Sequence, residues 1–253
     1  GGFVITGTSP KPVMIRATGP ALAAFGLGGT LPNPKLELYR GAAKIQENDD
    51  WSAAANATEV VATAARTGGF PLTAASADAV LLTTLDPGGY TAQVSSVTGA
   101  NGVALVEVYD AGSTAVTADT PRLINISTRA NVAGGEGLLI AGIVITGNSP
   151  KKILIRATGP ALAAFGVPGA LTDPLLKLYK GDAVLRQNDN WSDSAAEASL
   201  IAAAGSATGA FALTPGTKDA ALLITLEPGA YTAQVSGVNS TTGVALVEIY
   251  EVP

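Results

Sequence analysis

The segment RATGPALAAFG occurs twice without a change, at Arg16 to Gly26 and at Arg156 to Gly166. An identity of that length does not come from composition, so the chain is an internal repeat with a period of 140 residues. The match runs almost end to end. ITGTSP at Ile5 to Pro10 falls on ITGNSP at Ile145 to Pro150, and Asn48-Asp49-Asp50-Trp51 falls on Asn188-Asp189-Asn190-Trp191. From Phe70, which pairs with Phe211, the offset is 141, one residue being absorbed in a turn. GVALVE at Gly102 to Glu107 then meets Gly243 to Glu248. The 253 residues therefore divide into two copies of one domain, each of roughly 110 to 130 residues and large enough for its own core.

Within a copy the pattern is that of short strands. Phe3 to Thr6 and Val13 to Arg16 flank a turn rich in Gly, Ser and Pro, and LELYRGAAKIQ reads as a hairpin about Arg40-Gly41. Ser52 to Ala65 lacks Gly and Pro and predicts one Ala-rich helix, stopped by Gly68-Gly69; in the second copy Ser194 and Glu197 have the spacing of a capping box and Gly209 is the stop. Three strands follow, Val80 to Leu85, Tyr90 to Ser95 and Val103 to Tyr109. In the middle one Tyr90, Ala92 and Val94 alternate with polar residues, the period of a sheet with one wet face. The last is apolar on both sides, which predicts cover on both faces.

The pairing fails at one place. Asp110 to Pro121 is a polar, Ala- and Thr-rich connector, and the strand-like RLINISTRA, Arg122 to Ala130, has no counterpart in the first copy. If that run belongs to the second domain, the first lacks a strand and exposes a sheet edge, a template for another chain. The strand would then be trimmed from a longer array or supplied by a neighbour in donor-strand fashion; otherwise Arg122 to Ala130 serves the first domain. No signal peptide is visible, and the opening Gly1-Gly2-Phe3 reads as a processed or excised start.

Composition narrows the function. Only 14% of residues are charged, against roughly 25% in ordinary soluble domains, so much of the surface is neutral and suited to burial against another copy. The net charge of −5 and the want of a basic patch argue against nucleic acid. No apolar run reaches membrane-spanning length. Cysteine and histidine are both absent, which removes disulfides, thiolate chemistry and the commonest general base and metal ligand. The expectation is a protein that is not an enzyme and holds no cofactor.

Taken together, the paired RATGPALAAFG, NDDW or NDNW, GGYTAQVS or GAYTAQVS, and GVALVEVY or GVALVEIY segments resemble a repeat of long secreted bacterial surface proteins of unassigned function. The second half of each copy, an L-x-L-Y strand, an Asn-Asp turn and G-x-Y-T-x-x-V, is also similar to the bacterial pre-peptidase C-terminal domain. Both resemblances imply a β-sandwich module without chemistry of its own, in an extracellular or cell-surface setting.

Several residues invite a functional reading. Asp49, Asp50 and Asp189 cluster oxygen ligands in a turn, but a calcium loop needs more, regularly spaced, and an Asx turn ahead of a packed Trp51 or Trp191 accounts for them. The same tryptophans would be the sugar platform of a carbohydrate-binding or adhesive module, the alternative function; their repeat position reads instead as core or loop anchor. Arg16 and Arg156, among apolar strand residues, call for a carboxylate partner, and Glu107 and Glu248 are the candidates. Asn56, Asn125, Asn190 and Asn239 begin glycosylation sequons.

The sequence thus predicts an all-β, mainly antiparallel protein of two tandem jelly-roll-like β-sandwich domains, each with one short Ala-rich helix: 1–111, a linker 112–121, and 122–253. Its expected function is structural, as the subunit of an extracellular filament or surface layer that binds itself head to tail. Assembly contacts are expected at Phe3, Val4 and Ile5, at Leu123, Ile124 and Ile126, and at Val103, Leu105, Val244 and Leu246 of the last strands.

Overall fold

The structure, a computed structural model, describes residues 1–112, 120–135 and 137–253. The chain divides into two units, Gly1–Ile124 and Asn125–Pro253; most of the expected linker, 113–119, lies outside the described residues.

The first unit runs β1 (Gly2–Thr6), β2 (Lys11–Thr18), β3 (Pro34–Arg40), β4 (Ala43–Asn48), α1 (Ala57–Thr67), β5 (Ala79–Leu85), β6 (Gly88–Ser96) and β7 (Leu105–Asp110). One sheet has the order β1-β6-β3-β4 and the other β5-β2-β7, every pair antiparallel. β8 (Arg122–Val132) straddles the unit boundary: Leu123 lies against the first core, and Asn125 onward belongs to the second unit. There follow β9 (Leu139–Ile145), β10 (Lys151–Thr158), β11 (Pro174–Lys180), β12 (Ala183–Asn188), α2 (Ala195–Thr208), β13 (Ala220–Leu226), β14 (Gly229–Gly237) and β15 (Gly243–Glu251).

In the second unit the sheets read β12-β11-β14-β9 and β13-β10-β15-β8. Counted from β8 as first, these are 5-4-7-2 and 6-3-8-1, the strand orders of a jelly roll. The first unit has the same orders with the first strand missing among the described residues.

Alternation explains why the repeated strand is apolar throughout. Val13, Ile15 and Ala17 of β2 point between the two sheets, where Phe3, Ile5, Leu36, Leu38 and Tyr90 complete the core. Met14 points the other way, into a second cluster with Trp51, Val60, Ala64 and Val80 under α1. A sheet faced by a sheet on one side and a helix on the other is buried on both. In the second unit Ile153, Ile155 and Ala157 take the inner face, and Leu154 packs with Trp191, Ile201 and Ala204 on the helix side. Each Val, Leu or Ile among them contributes about 1.5–3 kcal/mol on burial.

Several boundaries shift. α1 begins at Ala57 rather than Ser52, because Trp51–Ala53 forms a 3-10 turn first; its N-cap residue Asn56 accepts no capping bond, and its Nδ2 donates to Leu82 O instead. α2 is capped as expected, Ser194 Oγ accepting from Glu197 N at 3.4 Å. Both helices end on left-handed glycines, Gly68 and Gly209. β7 starts at Leu105, and Val103 forms only an isolated parallel bridge with Thr30.

Two expected assembly residues are misplaced by the sequence reading. Phe3 and Ile5 are each 1% exposed, since their strand turns alternate residues inward and Phe3 stacks on Tyr90 at 5.5 Å. They hold the core of the first unit and offer nothing to a neighbour.

Candidate functional site

The register puts Arg16 directly opposite Glu107 and Arg156 opposite Glu248. Both arginines are buried on the helix side of their sheets. Arg16 Nε lies 3.1 Å from Glu107 Oε2, and Arg156 Nε is 3.1 Å from Glu248 Oε2. Neither contact is aligned as a hydrogen bond, so the attraction is electrostatic. Nη1 of each arginine donates to a carbonyl, Phe70 O at 2.9 Å and Phe211 O at 2.6 Å. The guanidinium carbons sit 4.2 and 4.1 Å from the rings of Phe70 and Phe211, an arrangement that offsets part of the desolvation cost.

The carboxylates have a second partner. Tyr109 Oη donates to Glu107 Oε1 at 2.5 Å, and Tyr250 Oη to Glu248 Oε1 at 2.7 Å. Burial pushes the Glu107 carboxyl above its ordinary range, with Tyr109 and Arg16 pulling it back. Burial likewise raises Glu248 against the pull of Arg156 and Tyr250. Both tyrosine hydroxyls are pushed up, first by burial and then by the adjoining carboxylate. Each group therefore engages its own members and welds the outer strand to its neighbour.

The rest of the repeated segment forms a tight corner. After β2 the chain enters a 3-10 turn, Pro20–Phe25, repeated at Pro160–Phe165. A Cβ at Gly19 would stand 2.0 Å from Leu31 O, and one at Gly159 2.0 Å from Leu171 O, so both positions require glycine. Asp78, buried, receives Gly19 N at 2.8 Å and Ala21 N at 3.3 Å on one oxygen and Ser76 Oγ at 2.7 Å on the other. Asp219 repeats this with Gly159 N, Ala161 N and Thr217 Oγ1. The sequence reading missed both aspartates. The available signal was a carboxylate kept in both copies just before an apolar strand, two residues after a hydroxyl side chain.

The corner ends on exposed aromatics. Phe25 is 60% and Phe165 61% exposed, each edge-on to the phenylalanine that covers the arginine, at 5.0 and 4.9 Å. Pro20, Ala23, Ala24, Phe25, Phe70 and Pro71 line a groove of about 340 Å³.

The Asn-Asp turns are fastened from within. Asn48 Nδ2 donates to Asp50 O and its Oδ1 accepts from Val80 N; Asn188 does the same with Asn190 O and Ala221 N. Asp49 and Asp50 are exposed and Asp189 is partly buried. No group of three or more metal-type side chains occurs among the described residues. Trp51 and Trp191 are buried with their indole N–H groups on Ser76 Oγ and Thr214 O, so neither ring is open to a sugar. Asn125 is buried too, its amide donating to Ile249 O at 3.2 Å, and its sequon is inaccessible in this fold.

The two last strands differ in their outer edges. β15 pairs with β8 from Gly243↔Val132 to Tyr250↔Asn125, so RLINISTRA from Asn125 on completes the second unit. Val244 and Leu246 are thereby partly covered, opposite Asn131 and Arg129. β7 is the edge of its sheet among the described residues. Leu105 is 37% exposed, and Val106 and Val108, equivalent to the buried Val247 and Ile249, are only partly buried. Val103 is exposed, while Val4, Ile124 and Ile126 are intermediate. Of the expected assembly residues, Val103 and Leu105 therefore lie at or beside this edge.

No family model matches the chain, and no curated protein matches it. Among solved structures it is similar to the pre-peptidase C-terminal domain of a collagenase from Bacillus anthracis. That likeness covers 50% of this chain and 89% of that one at 11% identity, with a TM-score of 0.31. No helix among the described residues is long and apolar enough to cross a membrane.

Proposed function

We propose that the protein is a structural subunit of an extracellular bacterial filament or surface layer, built by head-to-tail association of its β-sandwich domains. The observation that carries this reading is the outer edge of β7, unpaired among the described residues, whereas the matching edge of β15 in the second unit is closed by a strand. An unpaired edge of otherwise well-ordered sheet is a site for β-augmentation. The surface chemistry agrees with like-to-like packing. Ala17 to Pro34 carries no charge, and it presents Phe25 and Leu27 to solvent. A contact between two different faces of like subunits leaves one copy of each face free, and so propagates.

Electron microscopy of the native material, kept undenatured, tests the reading. Filaments or sheets with an axial repeat of one or two domains are expected. Discrete monomers at high protein concentration would sink it.

A further inference from the structure

We propose that Asn101-Gly102, in the turn ahead of β7, is a self-modifying site, where the asparagine amide is lost to its own backbone and a carboxylate takes its place. Of the ten asparagines, only Asn101 precedes a glycine. Asparagine is chemically labile, and most so there, because glycine sets no side chain in the way of its own nitrogen. Gly102 N attacks Asn101 Cγ, forming a C–N bond that closes a succinimide ring. The Cγ–Nδ2 bond breaks, and ammonia leaves with the proton given up by Gly102 N. Water then opens the ring. Addition at Cγ leaves Asp at position 101 in an ordinary backbone; addition at the main-chain carbonyl leaves isoaspartate, with the chain routed through the side chain and one carbon longer.

The reacting atoms are uncommitted. Asn101 and Gly102 are exposed, and among the described residues neither the Asn101 amide nor Gly102 N has a hydrogen-bond partner. Val97 N is held on Asn33 O, but among the described residues no main-chain hydrogen bond fixes Thr98 to Asn101, so the peptide plane before Gly102 can turn toward the side chain. The glycine itself is obligatory. A Cβ at Gly102 would stand 2.5 Å from Leu31 N and 2.6 Å from Thr30 C, and one at the equivalent Gly243 2.8 Å from Leu171 N. Packing therefore keeps glycine in both copies, and lability rests on the residue before it, Asn101 in the first and Thr242 in the second.

Other asparagines are less apt. The amides of Asn48, Asn56 and Asn188 are bonded, Asn125 is buried, and Asn33 precedes a proline, which has no N–H to attack with. Asn148 and Asn239, both exposed and followed by serine, set the rate for comparison. Either product adds a negative charge next to Ala17 to Pro34, which carries none, since Thr30 bridges Val103. Isoaspartate does more. Its extra carbon precedes the tightly packed Gly102, and the strain falls on Val103, which donates to Gly29 O at 2.9 Å and accepts from Leu31 N at 2.8 Å.

The test holds the full chain at mildly alkaline pH, native and in urea, and maps its peptides by mass. In the native protein Asn101 should convert severalfold faster than Asn148 and Asn239, at a rate that rises with hydroxide, and part of the product should be labelled by an isoaspartyl methyltransferase. Asn101→Thr, the second copy's residue, should remove that product and leave the rest of the map unchanged. Conversion in urea but not in the native chain, conversion in neither, or Asn148 or Asn239 converting first would overturn the inference. Amide exchange at Leu31 and Val103 should quicken in the aged protein but not in fresh Asn101→Asp, which carries the charge without the added carbon; equal exchange in both would overturn the effect on the bridge. The step needs no partner, so it stands or falls separately from the filament reading.

Discussion

β7 and β15 are nearly the same strand in two settings. Leaving out the neighbouring strand does not disturb the buried arginine, since Arg16 and Arg156 are alike in burial and in their 3.1 Å contacts. It changes what lies on the far side. Side-chain exposure is 15% for Glu107 against 6% for Glu248, and Tyr109 is intermediate where Tyr250 is buried. The Arg-Glu-Tyr group is thus a property of each sheet and its helix, while the burial of its outer members depends on the next strand.

The strongest way to break this comparison is to remove the arginine. Arg156→Ala should cost about 3–5 kcal/mol, the range for leaving a buried charge without its partner, and Arg16→Ala less, because water reaches Glu107 more readily. Urea denaturation of the two variants decides it, and an equal loss would contradict the ordering. Next, Asp219→Asn and Asp78→Asn should each cost about 1.5–3 kcal/mol through weakened charge-assisted bonds at the corner. These two should match, as the bonds to the two aspartates are the same in both copies.

A pH series sharpens the comparison. Both Glu107 and Glu248 have folded values raised above the ordinary 4.5. Between 4.5 and the raised values the folded state holds more protons than the unfolded, so these groups make stability fall as pH rises through that window. Below it their effect is constant. Glu248→Gln should flatten the slope of unfolding free energy against pH by removing its share; an unchanged slope would show that Glu248 does not titrate there. The smallest effect is at the edge itself. Leu105→Lys should stay within about 0.5 kcal/mol, as exposed sites do, whereas Leu246→Lys places a cation opposite Arg129 and should cost up to about 1 kcal/mol more; thermal melts of both separate the two cases.

Much of this was legible from the repeat. The alternation in Tyr90, Ala92 and Val94, the N-cap at Ser194 and the need of Arg16 and Arg156 for a carboxylate each rest on local rules that the fold leaves in force, although Glu197 pairs with Arg186 rather than closing the capping box. Tertiary choices were harder to read. Phe3 and Ile5 are as apolar as any contact surface, and only pairing with β6 turns them inward. Asp78 and Asp219 escaped because their partners are backbone amides about sixty residues earlier in the chain, which no side-chain pattern marks. Ownership of RLINISTRA was undetermined for the same reason: its ladder partner is β15, at the far end of the second copy.

That distance has a consequence in time. A growing chain has finished β7 when β8 emerges, but β15 begins about a hundred residues later, several seconds or more at roughly 5–20 residues per second. Throughout that interval β7 has been made and β15 has not. The linings differ by the single methylene of Ile249 over Val108, about 0.8 kcal/mol. A chain that paired β8 with β7 in that interval would have to exchange it for β15, and the near identity of the two linings gives that exchange little driving force of its own.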